Sequence, residues 1–124
     1  RSTLFPYTTL FRSQPLWWAS FGIGLGNCHL ENRAGRRDHN ADSGIYFPSG
    51  EGYDRLYARR AEVESLLSDP GSEMMWSEPD ASTKYRALWL RRDFDYDEQD
   101  WSEAQVWMRD MLLRLRAIAL EVFS

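Results

Sequence analysis

A chain of 124 residues with 43% apolar content is the size of one domain and long enough to bury a core. Its net charge of −4 excludes a generally basic nucleic-acid-binding surface, its single cysteine excludes an internal disulfide, and no apolar run approaches membrane-spanning length. Lone Cys28 fits a reducing, cytoplasmic compartment, and a basic complement that is nearly all arginine, with Lys84 the one lysine, reads as GC-rich coding.

Arg1 to Ser13, RSTLFPYTTLFRS, is what a common short-read sequencing adapter encodes in frame, codon for codon. It is set aside from fold reasoning as a non-native segment, and the expectation is a metagenomic fragment in which Gln14 lies inside a longer protein. Without Arg1 and Arg12 the remainder has 13 basic residues against 19 acidic, a net charge of −6.

From Gln14 onward the pattern is one domain. Aromatic-rich Pro15–Phe21 predicts a strand, and Gly22-Ile23-Gly24-Leu25-Gly26 its turn or bulge. The glycine spacing is not that of a dinucleotide fingerprint, and no P-loop Lys-Ser/Thr follows. Cys28–Arg33 predicts a second strand turned by Ala34-Gly35, and Gly44–Phe47 the apolar end of a third. Tyr53 to Leu67 predicts a helix with Tyr53, Leu56, Tyr57, Val63, Leu66 and Leu67 on a broad apolar face, closed by Pro70-Gly71. Met74–Ser77 and Tyr85–Arg92 predict two more strands around the Pro79–Ser82 turn. Leu88 and Leu90 alternate with Ala87 and Trp89, so the second of these reads as covered on both faces.

The longest pattern closes the chain. In Asp100–Phe123, Trp101, Ala104, Met108, Met111, Leu115, Ile118 and Val122 recur at steps of three and four, one stripe down a helix, and Asp100 with Glu103 resembles a capping box. Val106, Leu113 and Leu120 recur every seven residues on a second face, the candidate surface for a partner or for the region preceding Gln14. The fold class is therefore α+β: a twisted antiparallel sheet of about five strands with two helices packed on it, the longer one C-terminal.

No complete catalytic constellation is legible. His29, His39, Glu31, Asp38 and Asp42 lack metal-ligand spacing, and ordinary polar roles are expected for them. Asp93, Asp95 and Asp97 begin like a calcium loop, but Glu98 stands where the glycine belongs and Ala104 where the bidentate Glu belongs. Cys28 and His29 are adjacent in a strand and point to opposite faces. Ser82 stands two residues before Lys84, where a PD-(D/E)xK nuclease needs a carboxylate. Hence no catalytic residue, no metal and no cofactor are expected. Arg36-Arg37 and Arg91-Arg92, near Trp89 and Tyr85, are the candidate contacts to nucleic acid.

The order of these motifs resembles a bacterial and archaeal family called domain of unknown function 4268. Trp18-Ala-Ser-Phe-Gly-Ile-Gly24, Gly44-Ile-Tyr-Phe47, the helix with Tyr53, Leu56, Arg59, Val63, Glu64 and Leu67, the Met74-Met75-Trp76 strand and the Trp101/Trp107 helix follow in that sequence. Tyr53 and Val63 stand where the family has Phe and Ile, and Asp38–Ser43 is more polar than the family strand. The resemblance implies the C-terminal domain of a longer protein, in some members next to nuclease-like or restriction-related regions, without established catalytic residues. It implies an accessory or interaction domain in a DNA- or defence-associated setting. The alternatives are a nuclease-like enzyme fragment whose site lies upstream, or a weak nucleic-acid-binding module.

Overall fold

The structure, a computed structural model, describes residues 16–23, 28–35, 39–48, 50–77, 86–94 and 98–123. The expectations for the adapter-like segment, Gly24–Gly26, Arg36, Arg37, the Pro79–Ser82 turn and Asp95–Asp97 lie outside the described residues. Five strands, β1 (Leu16–Phe21), β2 (His29–Gly35), β3 (Asn40–Phe47), β4 (Ser72–Trp76) and β5 (Arg86–Asp93), form one antiparallel sheet in the order β1-β2-β3-β5-β4. Helices α1 (Gly50–Tyr57) and α2 (Arg60–Leu66) connect β3 to β4, and α3 (Glu98–Phe123) ends the chain. The α+β class and the dominant C-terminal helix are as the periodicity requires.

The pleat sorts the side chains. Ala41, Ser43, Ile45 and Phe47 of β3 are fully buried and share a face with Leu30, Asn32 and Ala34 of β2 and with Leu88 and Leu90 of β5. α3 lies on β2 and β3, and α1 on β3 and β5. Ala104, Met108, Met111, Leu115 and Ile118 of the expected stripe are buried against this face. Trp101 and Val122 pack against it half-buried, and Trp107 and Ala119 join the core. One polar pair is enclosed with them: the Ser43 hydroxyl donates to Asn32 Oδ1 at 2.7 Å, with the Met108 carbonyl 3.3 Å away.

Three details depart from the sequence pattern. The Tyr53–Leu67 run is two helices, not one, broken at Ala58–Arg59, where Arg59 N–H donates to the Leu56 carbonyl three residues back. An unbroken helix would carry Arg60 on the buried stripe between Leu56 and Val63. After the break Arg60 is exposed, its guanidinium 4.4 Å from the Tyr57 ring centre. Ala34 and Gly35 are not a turn but the end of β2, paired with Ala41 and Asn40 of β3. The third strand, of which Gly44–Phe47 is the apolar end as expected, begins at Asn40, because its polar groups are bonded across the sheet. Finally, α3 starts at Glu98, two residues before Asp100.

The second face of the sheet carries no helix among the described residues. Trp89 lies there on Gly44 and beneath Arg33, whose guanidinium carbon is 3.7 Å from the ring centre. On this side of β5, Arg33 covers Trp89 and Ala87 is buried.

Candidate interaction site

The site begins with the 3.6-residue turn of α3. A core stripe centred on Met108, Met111 and Leu115 sends Val106 and Leu113 to the opposite side, two turns apart. They are 49% and 58% exposed. Leu120, next in the series, is half-buried. Leu66, at the end of α2, is 53% exposed and shares a small cavity of about 240 Å³ with Arg114, Ala117, Ile118 and Glu121 of α3. Three of the four exposed large apolar side chains among the described residues therefore stand along α3 or beside it.

A larger cavity, about 480 Å³, continues from there toward the N-terminal half of α3. Its apolar lining is Phe94, Val106, Trp107 and Met111, with the rings of Phe94 and Trp107 centred 6.2 Å apart. Its charged lining is Asp69, Glu103 and Asp110 against Arg92 and Arg114. Arg114 lines both cavities, and its Nη1 donates to the Ser68 carbonyl at 3.4 Å, a strut across the groove.

Asp69 fixes the far wall. Its Oδ2 accepts hydrogen bonds from Trp107 Nε1 at 3.0 Å and from the Ser72 hydroxyl, while Arg92 Nη1 stands 4.0 Å away. Partial burial pushes the Asp69 carboxyl up. The bonds from Ser72 and Trp107, with the charges of Arg92 and Arg114, outweigh that effect and hold it below its ordinary value. Arg59 ties α2 to the end of α3, its fork on Glu62 at 2.9 Å and Glu121 at 2.7 Å.

The polar residues singled out in the sequence are distributed over both faces. Arg91 and Arg92 are neighbours in β5 and occupy opposite sides of the sheet. Arg91 grips Asp42 through Nε at 2.8 Å and Nη2 at 3.0 Å on the face away from α3, whereas Arg92 reaches into the larger cavity and over Phe94 at 5.5 Å. Arg33 donates to the same Asp42 carboxylate at 3.0 Å. Asp42 is therefore a buried anion clasped by two guanidiniums, each about one-third exposed, and it joins β2, β3 and β5. His29 pairs with Glu31 at 2.7 Å and lies 4.8 Å from the Tyr46 ring. His39 adopts a left-handed backbone (φ 55°), and its carbonyl accepts the Phe94 N–H at 2.8 Å. Among the described residues no three His, Cys, Asp or Glu converge as a metal site, and no described helix is long and apolar enough to cross a membrane.

The seven-residue spacing singles out Val106 and Leu113, both exposed, and gives no sign of Asp69, which reads as the helix-ending partner of Pro70-Gly71. Trp107 flanks the apolar stripe, and nothing in the pattern marks its indole as the donor that anchors a carboxylate. Compared with known protein families, curated proteins and solved structures, the chain matches none.

Proposed function

We propose that residues 14–124 form a non-catalytic accessory domain of a longer bacterial protein, in a DNA- or defence-associated setting, which docks through the outer side of α3. The observation that carries this reading is the exposure of Val106 and Leu113 on a 26-residue helix whose other side is core. Large apolar groups held in water two turns apart on one helix gain free energy when a partner covers them, about 25 cal/mol per Å² of apolar surface removed from water. The longer-protein setting rests on the motif order that resembles domain of unknown function 4268. An arginine route to nucleic acid has less support, since both donors that Arg91 offers Asp42 are already engaged there and Arg92 faces the other way.

Recovery of the gene upstream of Gln14 supplies the test. Hydroxyl-radical footprinting of Val106 and Leu113 is expected to show protection in the longer protein relative to this chain alone. Leu113→Asp is expected to abolish that protection while leaving the domain folded. Equal labelling in both contexts refutes the docking reading. An upstream D…(D/E)xK pattern, with DNA cleavage lost on substituting it, assigns the chemistry to that region and leaves this domain its accessory role. Metal-dependent DNA hydrolysis by this chain alone, lost on one acidic substitution within it, overturns the non-catalytic assignment.

A further inference from the structure

The charges on the outer side of α3 are arranged about its apolar stripe. Arg109 and Arg116 stand three residues after Val106 and Leu113, and Glu103 and Asp110 three residues before them. At about 100° per residue these offsets fall on opposite flanks, so arginines border the stripe along one side and carboxylates along the other. All six side chains are exposed. Two positive charges against two negative leave the surface balanced, and Arg109 and Asp110 already stand 3.5 Å apart across it. A segment of one sign, basic or acidic, would set like charges together on one flank.

We propose that the partner on this side is α3 of a second copy of the chain, lying alongside in the same direction, with Val106 on Val106 and Leu113 on Leu113. The proposal rests on the docking reading above and names its occupant. A two-fold axis running along the paired helices turns the arginine flank of each copy to the carboxylate flank of the other. The seven-residue step stacks the apolar side chains in matching layers. Arg109 of one copy then meets Asp110 of the other, so a pair made within each chain is exchanged between chains and no charge loses its partner. Two apolar side chains per copy make a small contact, and the dissociation constant expected for this chain alone is on the order of 0.1–1 mM. In the footprinting comparison above, the chain at low micromolar concentration is thus the monomeric reference. Protection in the longer protein reports two α3 helices held together within its assembly.

Sedimentation velocity at concentrations up to about 1 mM, with the methyl resonances of Val106 and Leu113 followed over the same range, provides the test. The chain is expected to dimerise as those methyls shift, and Leu113→Asp to stay monomeric with the fold retained. Arg109→Glu/Arg116→Glu and Glu103→Arg/Asp110→Arg each place like charges on both flanks. Each is expected to self-associate about tenfold more weakly, whereas an equimolar mixture of the two regains the parent affinity. Direction is read from disulfides: under mild oxidation Leu113→Cys should link to its own kind, as should Val106→Cys, since Cys28 is buried and does not compete. Preferential linking of Val106→Cys to Leu113→Cys overturns the common direction of the helices. A chain that stays monomeric throughout overturns the second copy as occupant, and protection in the longer protein then assigns this side to another partner. Dimerisation undiminished in Leu113→Asp places the contact elsewhere and overturns the proposal, as does equal self-association of the parent chain and both charge variants.

Discussion

A Cβ placed on Gly44 would lie 2.5 Å from Cε3 of Trp89 and 2.9 Å from the Leu88 carbonyl, so the indole occupies the volume that a side chain on β3 would need. Glycine in a strand interior costs backbone entropy, and here it admits a tryptophan between β3 and the Arg33 guanidinium. Gly44→Ala is expected to destabilise the domain by about 1–3 kcal/mol, the cost of overpacking. Urea denaturation of Gly44→Ala, Trp89→Ala and the double variant should show strong coupling, because the clash disappears with the ring. Additive losses would refute the pairing.

Asp42 is the electrostatic centre of the same face. Asp42→Asn removes the charge that Arg33 and Arg91 share and is expected to cost about 1–3 kcal/mol, less than a wholly buried pair because both guanidiniums are partly in water. Denaturation midpoints at low and high salt provide the check. The loss should persist in salt, since the carboxylate lies beneath its partners where ions screen poorly.

The two sides of α3 should respond differently to truncation. Leu115→Ala opens a void at a fully buried position and should cost about 2–5 kcal/mol. Leu113→Ala should stay within about 0.5 kcal/mol of the parent chain. A thermal melt of each variant decides, and similar losses at both positions would place Leu113 in the core.

How far the sequence led is visible in these residues. The step of three and four through Ala104, Met108, Met111, Leu115 and Ile118 is a local signal, set by helix geometry alone, and it located the long helix and its buried side. Strand pairing is non-local. The Asp42–Arg91 clasp joins residues that are remote in sequence, so how far the third strand extends before Gly44 is legible only once β5 is placed beside it. The break at Ala58–Arg59 follows from one arginine in an otherwise apolar stripe, a conflict visible in the sequence whose resolution depends on Tyr57 taking up the displaced side chain. The Asp69–Trp107 bond escaped notice for the same non-local reason: each residue's role looks ordinary until the α2–β4 turn is folded against α3.

Asp69 predicts a pH dependence with a definite sign. A carboxyl held below its unfolded value stabilises the fold above that value, about pH 3.9, and loses its contribution as pH falls through the lower folded value. Urea midpoints measured from neutral pH down to about pH 2.5 should fall more steeply for the parent chain than for Asp69→Asn. Parallel curves would refute the assignment.

Cys28 is buried and its thiol is pushed up by desolvation, so little thiolate is present near neutral pH and what forms is shielded. Labelling with a disulfide reagent is expected to be slow in the native chain and fast in denaturant. Rapid stoichiometric labelling without denaturant would contradict the burial.

The strand order has a consequence for synthesis on the ribosome. β3 has β2 on one side, and on the other it meets β5, Phe47 opposite Arg86 and Asn40 opposite Asp93. A nascent chain that has emerged only through β4 therefore presents the amides and carbonyls of β3 as an open template, with Ile45 and Phe47 still lacking α3 above them. Until the last third of the polypeptide arrives, the middle of the future sheet behaves as a sticky border. A stop codon or a frameshift before Arg86 would yield a product prone to pair with its own kind instead of a shortened version of the domain.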